Sequence, residues 1–140
     1  MMVNVPIHIV VAVDDDFRVR ESLESLVESA GYKPVMFSSA EEFLRSGTLT
    51  AATCVITDVR MPGMDGIELQ RRIRLVRPEL PVIFISAHNS TETRQRALDE
   101  GAVNFLYKPF NGADLLAAVQ AALASPPLPS VNSTRLVLPR

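Results

Sequence analysis

The acidic triplet Asp14-Asp15-Asp16, the single carboxylate Asp58, the hydroxyl of Ser86 and the ammonium of Lys108 each come directly after a short apolar run. Three or more carboxylates gathered in one place repel one another unless they share a cation, and an all-oxygen set of this kind suits Mg²⁺, which keeps several of its waters. A lysine and a hydroxyl beside such a cluster make sense if a phosphoryl group arrives, because both stabilise its oxygens. The chemistry these residue types point to is phosphoryl transfer at a magnesium site. Taken singly, each has a plainer reading. An isolated acidic triplet caps a helix, Asp58 begins a turn before Met61-Pro62-Gly63, and a lone lysine sits on the surface. A catalytic-serine reading of Ser86 fails, since no histidine and acid are placed to activate it and no nucleophile-elbow motif is present.

For these groups to meet, the runs before them must be neighbouring strands. Ile7 to Val13, Cys54 to Ile56 and Pro81 to Ile85 are short, rich in β-branched residues and nearly continuously apolar, as strands covered on both faces are. Tyr32 to Phe37 and Val103 to Tyr107 are weaker segments of the same kind. Between them lie helical patterns. Val19, Leu23, Leu26, Val27 and Ala30 form one apolar stripe that Gly31 ends. Ser39 with Glu42, and Asp65 with Glu68, have capping-box spacing, and Leu69, Ile73 and Val76 should face inward in the third helix. The stretch from Asn89 to Glu100 offers little apolar surface beyond Ala97 and Leu98 and should be weakly anchored. Asn111 begins a last helix with Leu115, Leu116, Val119, Ala122 and Leu123 on its buried face. Such alternation implies an α/β fold with a doubly wound parallel sheet of five strands, and in these sheets ligands sit at the carboxyl ends of the strands. The chemical residues should therefore share one rim.

Four segments carry a resemblance: Val13-Asp14-Asp15-Asp16, Asp58-Val59-Arg60-Met61-Pro62-Gly63-Met64-Asp65-Gly66, Ile85-Ser86-Ala87 and Lys108-Pro109-Phe110. Together they resemble the receiver-domain signature of two-component response regulators, over residues ~7 to 124, and the joint spacing is highly specific where any single piece is weak. The resemblance implies a flavodoxin-like sheet of order 2-1-3-4-5 flanked by five helices. It implies that Asp58 accepts phosphate from a sensor histidine kinase. Mg²⁺ would be held by Asp15, Asp58 and the backbone carbonyl of Arg60, with Asp14 acting mainly through water. Lys108 would pair with the acceptor and then the phosphoryl group, and Ser86 would turn its hydroxyl to the phosphoryl once formed. Phe105 takes the aromatic switch position, its ring moving inward as Ser86 shifts, and the Lys108-Pro109 peptide would be cis. Arg60 and His88, two residues beyond rim positions, would tune how readily water reaches the acyl phosphate. The choice of Arg60, His88, Ser86 and Phe105 is most similar to the FixJ-type subgroup, whose usual output is a helix-turn-helix DNA-binding domain.

Bulk properties agree with a single domain. The 140 residues are 47% hydrophobic and 21% charged, an ordinary globular composition. A formal net charge of −2 gives the chain no general reason to bind nucleic acid or an anionic membrane. Arg71, Arg74 and Arg77 read as a solvated helix face rather than a nucleic-acid patch. Cys54 is the lone cysteine, in an apolar run, and a reducing cytoplasm fits best. No signal-type stretch or ~20-residue apolar span is present. His8 reads as a packed residue, and neither histidine has metal-ligand spacing. Residues 1–124 are expected to form the receiver and 125–140, with Ser125-Pro126-Pro127-Leu128-Pro129, a Pro-rich linker or tail. The expected protein is a phosphoacceptor with at most slow autodephosphorylation, not an enzyme. It would control an output, transcription foremost, through the face of helix 4, strand 5 and helix 5, with homodimerisation through that face on phosphorylation. DNA would be reached only through an output domain that these residues do not include. A stand-alone receiver acting by protein–protein contact is one alternative. A small Mg²⁺-dependent aspartyl-phosphate phosphatase is another, although such enzymes resemble Asp-x-Asp more than Asp58-Val59-Arg60.

Overall fold

Residues 7–88 and 90–124 are described by a computed structural model; Asn89 and the Pro-rich segment 125–140 lie outside the described residues. Five parallel strands, β1 (Ile9–Val13), β2 (Lys33–Phe37), β3 (Cys54–Asp58), β4 (Val82–Ser86) and β5 (Asn104–Tyr107), form one sheet in the order β2-β1-β3-β4-β5. They alternate with helices α1 (Phe17–Ser29), α2 (Ala40–Ser46), α3 (Gly66–Val76), α4 (Thr91–Asp99) and α5 (Gly112–Ala124). The doubly wound fold and its strand order are as expected. Register brings Asp58 beside Ile85 and Ser86 beside Tyr107, so the carboxyl ends of the central strands finish level. That alignment builds the rim.

Alternate side chains of each strand feed two cores, as the pleat requires. Val10, Ala12, Cys54, Ile56, Ile83 and Ile85 pack under Leu23 and Val27 of α1 and Leu115 and Val119 of α5. Val11, Val13, Val55 and Phe84 pack on the other face against Phe43 of α2 and Ile67, Leu69 and Ile73 of α3. Burial among these residues pushes the Cys54 thiol pKa up to about 12, which leaves it an inert apolar filler.

The helices depart from the apolar-stripe reading at their ends. Val76 is 62% exposed rather than buried. Leu69 and Ile73 are buried as expected and Ile67 and Gln70 join them, while the chain leaves helical geometry at Arg77 and Leu80 covers the core from beyond the helix end. Ala30, the C-cap of α1, is exposed as well, and Gly31 follows with φ +88, the left-handed conformation that ends the helix. Ser39 Oγ accepts from Glu42 N–H at 3.1 Å, but Glu42 reaches back to Ser38 N–H (2.8 Å) rather than to the cap residue itself. Asp65 accepts from Glu68 N–H at 2.8 Å, while Glu68 turns outward to Arg72 at 3.2 Å. On α4 only Ala97 is buried.

Arg71 and Arg74 of α3 and its C-cap Arg77 tie elements together, while Arg72 pairs within the helix. Arg71 pairs with Glu100 at 3.0 Å, and Arg74 donates to the Glu100 carbonyl at 2.7 Å. Arg77 donates to the carbonyls of Ala52 (2.6 Å) and Leu49 (3.0 Å). His8 packs edge-on to Tyr32, ring centroids 5.9 Å apart.

Candidate functional site

The acidic triplet divides into three roles as β1 gives way to α1. Asp14 is fully buried, and its N–H donates to Phe37 O at 3.1 Å, prolonging the β1–β2 pairing by one residue. Its Oδ1 accepts from Asp16 N–H (2.8 Å) and its carbonyl accepts from Arg20 Nη1 (2.8 Å). Asp16 turns away and caps α1 by accepting from Arg18 N–H at 2.9 Å. For Asp16 the plain capping reading is therefore correct. Asp15 is exposed at the rim, and carboxylate oxygens of Asp14, Asp15 and Asp58 all lie within 4.8 Å of one another.

Asp58 ends β3 with 7% of its surface exposed. Lys108, which follows β5, reaches across to it. Its Nζ stands 3.2 Å from Asp58 Oδ2 and 2.9 Å from Asp14 Oδ2, and its own N–H donates to Ser86 O at 2.7 Å. The Lys108–Pro109 peptide is cis. Burial, and then the charge of Asp14, push the Asp58 pKa above the ordinary carboxylate value against the opposing pull of Lys108. Burial alone would lower the Lys108 pKa, but contact with Asp14 and the charge of Asp58 reverse this and raise it. Asp14 Oδ2 is buried and meets the ammonium without an aligned hydrogen bond, so it keeps acceptor capacity toward a cation. Three carboxylates crowded around a single ammonium offer the oxygen donors that fit a hard divalent ion such as Mg²⁺.

Ser86 is fully buried at the end of β4, and its Oγ accepts from His88 N–H at 3.0 Å. Phe105 is 5% exposed, its ring 6.3 Å from Phe84 and 5.3 Å from Tyr107. The ring is thus already inside the fold while the Ser86 hydroxyl is engaged within its own loop. Arg60 and His88 are both exposed beside the rim. Arg60 lines a cleft of about 370 Å³ together with Met61, Asp65, Thr93 and Arg96. A second cleft, about 420 Å³, lies at the opposite end of the strands around His8, Thr53, Pro81 and Val103 and holds none of these groups.

Three residues that type and spacing do not single out contact Asp58 or the loop after it. Thr57, buried before Asp58, donates from Oγ1 to the Asp58 carbonyl at 3.0 Å. Gly66 N–H donates to Val59 O at 2.8 Å, and a Cβ at Gly66 would fall on the Asp58 carbonyl and stand 2.9 Å from the Phe84 ring. Its signal was present in the sequence: a glycine at the first position of a helix, where other residues form helix better. Glu41 on α2 accepts from Met64 N–H at 2.9 Å, a contact across 23 residues that no local pattern announces.

The comparisons with known proteins converge. Residues 10–120 match the family described as Response regulator receiver domain. The chain is similar to the response regulator protein TodT of Pseudomonas putida, 41% identical over 128 residues, which is 91% of this chain and 56% of that protein. The transcriptional regulatory protein FixJ of Azorhizobium caulinodans is 39% identical over 120 residues, 86% of this chain and 56% of that protein. Among solved structures, the response regulator StyR superposes with a TM-score of 0.77 at 40% identity, covering 84% of this chain and 60% of that one. The chain spans about half the length of the curated relatives it matches. With its sheet order, its acidic rim and these likenesses in agreement, the chain belongs to the response regulator receiver domain family.

Proposed function

We propose that Asp58 accepts a phosphoryl group from a sensor histidine kinase, the class of partner with which receivers of response regulators work, in a Mg²⁺-dependent reaction. The observation that carries this is the Lys108 ammonium, 3.2 Å from Asp58 and 2.9 Å from the buried Asp14, inside a three-carboxylate rim. A carboxylate oxygen of Asp58 attacks phosphorus, forming the P–O bond as the donor's bond to phosphorus breaks. Lys108 keeps the acceptor oriented and then follows the negative charge onto the phosphoryl oxygens. Asp15, Asp58 and the Arg60 carbonyl would hold Mg²⁺, with Asp14 acting mainly through water, and the ion would supply positive charge that offsets the crowded carboxylates and the incoming phosphate. Ser86 exchanges its hydrogen bond from His88 N–H for one to the phosphoryl group. Phe105, packed beside β4, and the lightly anchored α4 then read that shift, and the α4-β5-α5 face changes its partners. Arg60 and His88 flank the path by which water reaches the acyl phosphate and set a slow self-catalysed dephosphorylation.

That TodT is a response regulator protein and FixJ a transcriptional regulatory protein extends the proposal to transcriptional output, with DNA reached through a domain other than this one. Phosphorylation would drive homodimerisation through the α4-β5-α5 face. No helix among the described residues is long and apolar enough to cross a membrane, in keeping with a cytoplasmic role. The test is intact-protein mass after incubation with acetyl phosphate. One added phosphoryl group in wild type with Mg²⁺, and none without Mg²⁺ or in Asp58→Asn, is the expected result. An unchanged wild-type mass overturns the assignment. Following loss of the added mass in Arg60→Ala and His88→Ala tests their tuning role, and sedimentation of the phosphorylated protein tests dimerisation.

A further inference from the structure

The loop after Asp58 carries the Arg60 backbone, whose N–H faces the acceptor carboxylate and whose carbonyl is assigned above to the Mg²⁺ site. Groups already described fasten its two ends. Val59 N–H donates to Ile85 O at 3.2 Å, and Asp65 caps α3. Between these anchors Met61 is buried in the core, and Met64 N–H donates to Glu41 Oε2 at 2.9 Å. Among the described residues, that is the one hydrogen bond joining residues 61–64 to another element.

Gly63 lies directly beneath this carboxylate. Its φ is +77, and a Cβ there would stand 2.6 Å from Glu41 Oε2. The left-handed turn favours glycine, and a side chain there would push aside the movable tip of Glu41. A carboxylate accepting a backbone N–H makes a charge-assisted bond, stronger and shorter than a neutral one, which suits it to hold an otherwise lightly tied loop.

We propose that Glu41 is a positioning residue for the phosphoryl site: by holding Met64 it sets the path of the 60–64 loop, and with it the placement of the Arg60 carbonyl toward the metal. This rests on the reading of Asp58, Asp15 and the Arg60 carbonyl as the Mg²⁺ and acceptor site. Outer groups that orient a metal ligand are worth about 10–100-fold in affinity, and a tether acting through loop backbone belongs at the low end of that range.

Mg²⁺ titration by calorimetry on wild type, Glu41→Ala and Glu41→Gln separates the outcomes. The alanine variant is expected to bind Mg²⁺ about tenfold more weakly. The glutamine variant should fall between the two, since its amide oxygen still accepts from Met64 N–H but without the charge. Hydrogen exchange of the wild-type chain adds a readout that needs no variant to fold: the Met64 amide should exchange more slowly than that of Gly63. Wild-type affinity in Glu41→Ala, a glutamine variant as weak as alanine, or an unslowed Met64 amide overturns the tether while leaving the acceptor reading intact. No Mg²⁺ binding by wild type overturns the site reading itself, and this inference with it.

Discussion

Burial and the charge of Asp14 both disfavour ionised Asp58, and the Lys108 ammonium offsets them only in part. In the unfolded chain this carboxyl titrates near ~3.9. Because its folded pKa is raised, its contribution to stability is fully present below the unfolded value and is lost as pH rises through the folded one. At neutral pH the ionised group therefore works against the fold that presents it. Asp58→Asn removes the charge at nearly constant shape and leaves Lys108 with Asp14 at 2.9 Å. Melting curves in metal-free buffer should show the variant higher at neutral pH by roughly 2–5 °C, what a modest gain in stability produces in a domain of this size. The gain should shrink as pH falls toward ~4. A variant melting below wild type at neutral pH would show that Lys108 dominates after all. The place of Asp58 at the rim was legible because residue type and strand-end position coincide, whereas that of Glu41 was not, its partner lying 23 residues away on another element.

Between elements, the β3–α3 junction and α4 are built to opposite standards. At the first, α3 starts so close to β3 that a side chain at Gly66 would meet the Asp58 carbonyl and the Phe84 ring, backbone and core rather than a movable side-chain tip. Gly66→Ala is thus expected to destabilise by about 1–3 kcal/mol, in spite of alanine's better helix propensity. Urea unfolding with an unchanged m-value should report it, and a midpoint equal to or above wild type would show that the junction has room. By contrast, α4 buries Ala97 alone, while α1, α3 and α5 each bury at least two side chains. Its C-terminal end is held through Glu100 by Arg71 and Arg74. Native-state hydrogen exchange should accordingly find α4 amides faster than those of α1, α3 and α5, with the turn near Ser90 leading. Protection of α4 equal to that of α1 would remove the basis for calling it the relay.

For the molecule as a whole, the strands were readable because burial on both faces leaves near-continuous β-branched runs, and their alternation with helices dictated a doubly wound sheet. Helix ends were less readable. Val76 continues the apolar spacing of α3, yet the chain leaves the helix at Arg77 and lets Leu80 cover the core, a tertiary choice that periodicity does not contain. Ser86 and Phe105 could be placed but not posed: that the ring is already inside while the hydroxyl bonds within its own loop follows from packing of β4 against β5. What the fold achieves is to hold three carboxylates within 4.8 Å with one ammonium among them, a charge imbalance maintained by the rest of the structure. A divalent cation bound there must stabilise the whole domain, since it binds the folded state and finds no such cluster in the unfolded chain. At a Mg²⁺ concentration ten times its dissociation constant, the linkage is worth about 1.4 kcal/mol, or roughly 3–6 °C in melting temperature. Melts in Mg²⁺ against sodium chloride of equal ionic strength should show that rise in wild type and lose most of it in Asp58→Asn. Equal melting temperatures in the two salts would mean that the rim tolerates its repulsion without a metal, and that Lys108 alone balances it.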